Sequence, residues 1–194
     1  MNKAIFLDRD GVLLSLVYDT KNDLVRTPLS VKEIVFAPHV VATLSAIQAL
    51  GYKLFVVSNQ PDLALKRINQ KTFQAMQDHI ESFFKKNQIN IEEYYYCFHH
   101  PFALFPSYKK ICDCKKPKPG LIFRAAKEHD IDLSRSWMIG DGVNDVIAGH
   151  TAGCRTILIA NLLESGYLTI LENNLNGIHP DYIVKKIEET VSIL

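Results

Sequence analysis

Two pairs of acids in this sequence each follow a short apolar run directly. Asp8 and Asp10 stand in Phe-Leu-Asp-Arg-Asp-Gly, and Asp141 and Asp145 in Gly-Asp-Gly-Val-Asn-Asp. Carboxylates gathered in one place repel one another unless a cation neutralises them, and an all-oxygen donor set selects a hard ion, so Mg²⁺ is the expected metal. Ser58, followed by Asn59 and Gln60, closes another apolar run, and Lys115-Lys116 lies in a loop before a helical pattern. A hydroxyl and an ammonium beside Mg²⁺ suit a phosphoryl group, whose charge is spread over three oxygens. Any one of these residues alone is equally at home in a turn or a helix cap. As a set at the ends of apolar runs, they point to phosphoryl chemistry.

A second constellation is Cys97-Phe98-His99, then twelve residues, then Cys112-Asp113-Cys114. Three thiolates and one imidazole make a closed tetrahedral Zn²⁺ site with no open position for water, which is a structural role. His100 is adjacent, and spacing does not separate it from His99. The remaining cysteine, Cys154, reads as a small buried residue. His79, His129 and His150 fall on helical patterns, where surface or core is the ordinary place for them. Lys109, Lys110, Lys115, Lys116 and Lys118 surround the Cys and His pairs. They permit a reading of another class, a zinc-stabilised nucleic-acid-binding module whose affinity would fall steeply with salt.

The elements that must position these residues alternate. Short runs rich in β-branched and aromatic residues are predicted as strands at Ala4 to Leu7, Lys53 to Val57, Tyr94 to Phe98, Trp137 to Gly140 and Arg155 to Ala160. Helical spacing is predicted from Pro38 to Leu50, along a stripe of Phe73, Met76, Ile80 and Phe83, from Pro119 through Ala126, and over Val143 to Ala152. Tyr182 to Leu194 reads as a strand fragment and a helix. Alternation of this kind predicts a three-layer α/β sandwich with a parallel central sheet, in which ligands bind at the carboxyl ends of strands. Two long connections remain, Gly11 to Ala37 and Phe98 to Pro117, and loops that long in a compact domain are usually functional.

The chain has 194 residues, 47% of them hydrophobic, with 22 Lys plus Arg against 21 Asp plus Glu, a formal charge of +1. One domain, residues 1–194, is expected, and at this size about 70% of the unfolded chain's surface is buried on folding. The balanced charge and the lack of a basic helix face speak against nucleic acid and anionic membranes as partners. The first apolar run stops at Asp8, short of a signal-peptide core, and no run approaches a membrane span, so a cytoplasmic protein is expected. Disulfides are rare in that compartment, so the clustered cysteines need another reason: metal ligation, or a set of free thiols beside a surface histidine.

These motifs resemble the haloacid dehalogenase superfamily of phosphatases over almost the whole chain. The first motif matches Asp8-Arg9-Asp10-Gly11, the second Ser58, the third Lys116, and the fourth Gly140-Asp141 through Asp145. The resemblance implies that Asp8 is the nucleophile and that Asp10 protonates the leaving oxygen and later activates water. It implies Mg²⁺ held by Asp8, the main-chain carbonyl of Asp10, and Asp141, with Asp145 supporting these ligands. Ser58 and Lys116 would hold the phosphoryl oxygens, and Asn59, Gln60 and Lys115 would face the substrate.

The Cys-x-His and Cys-x-Cys loop leading into Lys-Lys-Pro-Lys-Pro-Gly narrows the resemblance to the zinc-containing capless members, with His99 as the fourth ligand. The twelve-residue gap resembles the type that acts on heptose bisphosphates in lipopolysaccharide biosynthesis. The implied substrate is the 7-phosphate of a heptose 1,7-bisphosphate, taken by a monomer, with histidinol phosphate or another small polyol phosphate as the alternative. The sequence departs from that type in four places. Pro61-Asp62-Leu63-Ala64-Leu65-Lys66 replaces the usual Ser-Gly-x-Ala-Arg-Gly, Lys115 replaces an Arg, Gly142 replaces a Lys, and the flap from Asp19 to Pro38 is longer. These changes touch substrate recognition rather than phosphoryl chemistry.

Overall fold

The computed structural model describes residues 1–160, 174–175 and 177–194. Strand β1 (Ala4–Leu7) is followed by two short strands, β2 (Val17–Asp19) and β3 (Leu24–Arg26), and then by α1 (Val40–Ala49) and β4 (Lys53–Asn59). Next come α2 (Gln70–Lys86), β5 (Ile91–Cys97), α3 (Gly120–His129), β6 (Trp137–Gly140), α4 (Val143–Ala152), β7 (Arg155–Ile159) and β8 (Tyr182–Val184), and a 3₁₀ helix spans Ile187–Ser192. A six-stranded sheet runs in the order β5-β4-β1-β6-β7-β8, and every neighbouring pair in it is parallel. The strand order reverses at β1: the chain moves out to β4 and β5, then returns to lay β6 on the other side. The crevice beside β1 and β6 is therefore the switch point at which such sheets bind ligands.

Period-two alternation splits the core between the two faces of the sheet. Ala4 and Phe6 point to one side, with Phe55, Val57 and Met138, and are covered by Leu121, Ile122 and Ala125 of α3 and Ala148 of α4. Ile5 and Leu7 point to the other, with Leu54 and Val56, and are covered by Leu44 and Ile47 of α1 and Ile80 and Phe84 of α2. Helix α2 starts at Asn69, whose side chain accepts from the Thr72 N–H at 2.8 Å, and it carries Lys85 and Lys86 in its last turn. Both features complement the helix dipole and its unpaired ends. Its buried stripe is Phe73, Met76, Ile80 and Phe84. Phe83, expected in that stripe, sits one step round the helix, where its ring stacks on Phe36 at a centroid distance of 3.4 Å.

The connection after β1, read from sequence as loop, contains the β2–β3 hairpin, with Val17 opposite Arg26 and Asp19 opposite Leu24. Each strand is three residues long and largely exposed, so no buried alternation marks it in the sequence. The Asp19 carboxylate closes the turn by accepting from the Lys21 N–H and from Asn22 Nδ2, at 3.1 and 3.0 Å. Below the hairpin, the Arg26 guanidinium donates to both carboxylate oxygens of Glu33, at 2.9 and 3.0 Å, and Thr27 Oγ1 donates to Asp62 at 3.0 Å. Strand β5 begins at Ile91, three residues before the expected start, because the bulge between Leu54 and Phe55 lets Ile91 join the ladder. No helix among the described residues is long and apolar enough to cross a membrane.

Candidate active site and metal centre

The carboxyl-terminal ends of β1, β4 and β6 build the site, joined by Asp145 from α4 and Lys116 from the loop after β5. Asp8 follows β1 and extends its ladder, its N–H donating to the Ile139 carbonyl of β6 at 3.0 Å. Its Oδ1 accepts from the Arg9 N–H at 2.7 Å and lies 3.0 Å from Lys116 Nζ. The same ammonium donates to the Val57 carbonyl at 2.7 Å and lies 2.5 Å from Asp145 Oδ1. Lys116 is thus fully buried among three acceptors from β4, β1 and α4. Burial disfavours its charge, but Asp145 and Asp8 together hold its pKa above the usual lysine value.

Asp141 and Asp145 enter from β6 and α4. Asp145 Oδ2 accepts the Gly142 N–H at 3.1 Å at the start of α4, so this carboxylate is shared between a helix end and Lys116. Burial, then Asp8 and Asp145, push the Asp141 carboxyl up to about 8, and burial pushes that of Asp145 up to about 6 despite Lys116. One oxygen each from Asp8, Asp141 and Asp145 lies within 4.8 Å of the others. Two glycines permit the convergence. A Cβ on Gly11, whose φ is +85°, would lie 1.9 Å from Asp141 Oδ2, and one on Gly140 would lie 2.1 Å from the Cβ of Asp145. Backbone cleared for carboxylates, and carboxylates unable to share the space as bare anions, fit a hard divalent cation.

Asp10 is 6% exposed and engages Arg9, which is 1% exposed, through Nη2 at 2.9 Å. Gln60 Nε2 donates to the same Asp10 oxygen at 2.8 Å and to Ser58 Oγ at 3.1 Å. Burial, opposed by Arg9 and reinforced by Asp8, pushes the Asp10 carboxyl above the usual carboxylate range. Asn59 turns to the third motif: its Nδ2 donates to the Lys116 carbonyl at 2.9 Å and its Oδ1 accepts the Lys116 N–H at 3.0 Å. The side chains of Asn59 and Gln60, expected at the substrate, are therefore committed to Lys116, Asp10 and Ser58. Lys115 is half-buried at the rim; after burial itself, Lys115 and Arg67 hold the His100 pKa below its ordinary value. In the sequence Arg9 does no more than fill its motif. Its signal there was weak, because a cation between two acids reads equally well as surface charge.

The second constellation closes on itself. The Cys97, Cys112 and Cys114 sulfurs lie 3.2 to 3.6 Å apart, and His99 Nδ1 lies 3.2 Å from Cys114 and 3.6 Å from Cys97. Four ligands at about 2.3 Å from a tetrahedral Zn²⁺ would stand about 3.8 Å apart, so the donor set fits with slight expansion. None of the four cysteines is in a disulfide. Burial, then Lys110, keeps the His99 pKa below its ordinary value, which favours the neutral ring a metal needs. His100 faces elsewhere, its Nδ1 accepting the Phe102 N–H at 3.1 Å. Cys114 stands two residues before Lys116, and the Gly120 N–H donates to the Asp113 carbonyl at 3.0 Å. The cluster therefore anchors the loop that delivers the buried lysine.

A family model described as "HAD-hyrolase-like" matches residues 113–190. The D-glycero-alpha-D-manno-heptose-1,7-bisphosphate 7-phosphatase of Photorhabdus laumondii is 31% identical over 180 residues, covering 89% of this chain and 92% of that one. A D-glycero-beta-D-manno-heptose-1,7-bisphosphate 7-phosphatase of Helicobacter pylori is 35% identical over 178 residues, covering 90% and 93%. The crystal structure of D,D-heptose 1,7-bisphosphate phosphatase from B. bronchiseptica, complexed with magnesium and phosphate, superposes with a TM-score of 0.77 over 98% of this chain and 97% of that one, at 22% identity.

Proposed function

This chain belongs to the haloacid dehalogenase-like family of phosphatases, and on that premise we propose that it removes the 7-phosphate of a heptose 1,7-bisphosphate. The observation that carries the reaction is the meeting of Asp8, Asp141 and Asp145 at the switch point, where Lys116 pairs with Asp8 and Asp145 and Asp10 is buried two residues beyond Asp8. Relatives named for both anomers support the heptose and leave the anomer open.

In this reading Asp8 attacks phosphorus. Its carboxylate oxygen bonds to phosphorus as the bond to the ester oxygen breaks, and Asp10 gives that oxygen its proton, so the sugar leaves as an alcohol. Water then attacks the aspartyl-phosphate and passes a proton back to Asp10, which releases inorganic phosphate and restores the Asp8 carboxylate. Ser58 and Lys116 stabilise the charge on the phosphoryl oxygens, and Lys116 also fixes the direction of Asp8. Asp8, the main-chain carbonyl of Asp10, and Asp141 would hold Mg²⁺, with Asp145 behind them; the ion supplies positive charge against the phosphoryl oxygens. Cys97, His99, Cys112 and Cys114 would hold a structural Zn²⁺. Residues 1–194 act as one domain, a cytoplasmic monomer that takes a small metabolite and binds no nucleic acid.

The test compares kcat/KM for heptose 1,7-bisphosphate and histidinol phosphate with Mg²⁺ present. A clear preference for the heptose ester, abolished in Asp8→Asn, is the expected result. Equal, feeble rates on both would defeat the substrate assignment, and full activity of Asp8→Asn would defeat the mechanism. Oligonucleotide binding at low salt without any phosphate release would favour the nucleic-acid module instead.

A further inference from the structure

Gln60 is 3% exposed, and its amide nitrogen is spent inside the protein, on Asp10 Oδ2 at 2.8 Å and Ser58 Oγ at 3.1 Å. Its main chain is equally well placed, the N–H donating to the Cys97 carbonyl at 2.8 Å. Arg9 Nη2 donates to the same Asp10 Oδ2 at 2.9 Å, and Nε lies 3.2 and 3.3 Å from the two oxygens. One oxygen of Asp10 thus takes two short bonds from donors on different elements, while Oδ1 takes a long one. A carboxyl group pinned in this way cannot turn about its Cβ–Cγ bond, so the direction of Oδ1 is fixed. The Ser58 hydroxyl, by accepting from Gln60, keeps its own hydrogen for another acceptor.

We propose that Gln60, with Arg9, is a positioning residue that holds the Asp10 carboxyl group toward the ester oxygen leaving phosphorus. This rests on the role given to Asp10 above. As the bond from Asp8 to phosphorus forms and the ester bond breaks, an alkoxide needs the Asp10 proton, whereas a leaving group that is already a stable anion does not. Misdirecting Asp10 therefore slows sugar phosphates more than activated phosphates. Both classes still make the same contacts through Asp8, Ser58 and Lys116.

The experiment uses Gln60→Met, which keeps the length and volume of the side chain and removes its donors. It measures kcat/KM on heptose 1,7-bisphosphate and on p-nitrophenyl and acetyl phosphate, with Asp10→Asn measured alongside. Correct general acid catalysis contributes about 10²–10⁴-fold, so the Gln60 variant is expected to lose about tenfold or more on the sugar phosphate and several times less on the activated phosphates. KM for the sugar phosphate is expected to stay near that of the unaltered protein. An equal loss on both classes, or none, while Asp10→Asn does discriminate between them, overturns the inference and leaves the function standing. Failure of Asp10→Asn itself to discriminate overturns the role of Asp10, and this inference with it.

Discussion

The side chain of Asn59 grips the main chain of Lys116 from both sides, Nδ2 donating to its carbonyl at 2.9 Å and Oδ1 accepting its N–H at 3.0 Å. The end of β4 thereby sets the position of a lysine from a distant loop, whose ammonium returns to β4 at the Val57 carbonyl. Two structures depend on this grip: the ion pairs of Lys116 with Asp8 and Asp145, and the course of the loop leaving the Cys cluster.

Asn59→Ala removes both hydrogen bonds and leaves a half-buried main-chain pair to water. At about 1 kcal/mol for each bond, a loss of about 1–3 kcal/mol of stability is expected, read as a lower Tm or denaturant midpoint. Because Lys116 would no longer be held against Asp8, kcat is expected to fall by about tenfold or more, with a smaller change in KM. Asn59→Asp keeps one acceptor but sets a carboxylate oxygen against a carbonyl, so it is expected to resemble the alanine variant. Unchanged kcat in both would show that the buried ion pairs place Lys116 unaided.

Gly11 offers a sharper test, since its main chain passes where Asp141 must sit. A methyl group there would lie 1.9 Å from Asp141 Oδ2, on a backbone whose φ of +85° already disfavours any side chain. Gly11→Ala is expected to displace Asp141, cost about 1–3 kcal/mol of stability and lower Mg²⁺-dependent turnover by about 100-fold. A titration of activity with Mg²⁺ separates the two effects: a raised half-saturation is expected in a protein whose circular dichroism is unchanged. If half-saturation stays the same, Asp141 does not belong to the metal site.

The sequence made the sheet and the site legible for one physical reason. Parallel strands buried on both faces must be continuous apolar runs, and the polar residue ending each run must lie at the edge of the sheet that faces ligand. Asp8, Ser58 and Asp141 could be picked out in that way, and Cys97, Cys112 and Cys114 by a spacing that bland packing does not produce. The hairpin from Val17 to Arg26 left no such mark, because its three-residue strands bury almost nothing. The partners of Asn59 and Gln60 were equally hidden. An amide after a strand end is polar whether it meets substrate or protein, and only the path of the loop carrying Lys116 decides between them.

The flap's anchor titrates in acid. Arg26, then the Leu29 N–H, hold the Glu33 carboxyl below its ordinary value of 4.5. A depressed carboxyl contributes stability that is present above the unfolded value and is lost as pH falls through the lower, folded one. Opening of residues 17–33 is therefore expected to begin below about pH 4.5, seen as lower amide-exchange protection in the hairpin, relative to the intrinsic rate at each pH, while β1 and β4 stay protected. Both partners are partly exposed, so the effect is local, and salt should weaken it. In Glu33→Gln the hairpin is expected to exchange fast at neutral pH too. Protection unaffected by either change would mean that the remaining contacts, the Thr27 to Asp62 bond and those of Asp19 among them, hold the flap without Glu33.

Treatment with a zinc chelator tests whether the Cys cluster serves structure apart from chemistry. Its four donors lie 3.2 to 3.6 Å apart along the contacts from Cys97 and Cys114, on two segments that share no helix or strand. One Zn²⁺ per chain is expected by elemental analysis, and none in Cys114→Ser. Structural zinc binds with about 10–16 kcal/mol in small zinc-finger peptides, which are unfolded without it. Here the two core faces lie on the sheet, so a chelated protein is expected to keep its far-ultraviolet circular dichroism and lose order from residue 98 to residue 116. Turnover is expected to fall with that order, since Lys116 follows Cys114 by two residues, and to return when Zn²⁺ but not further Mg²⁺ is added. A chelated protein that kept both its loop protection and its turnover would show that Asn59 and the buried carboxylates hold Lys116 without the cluster.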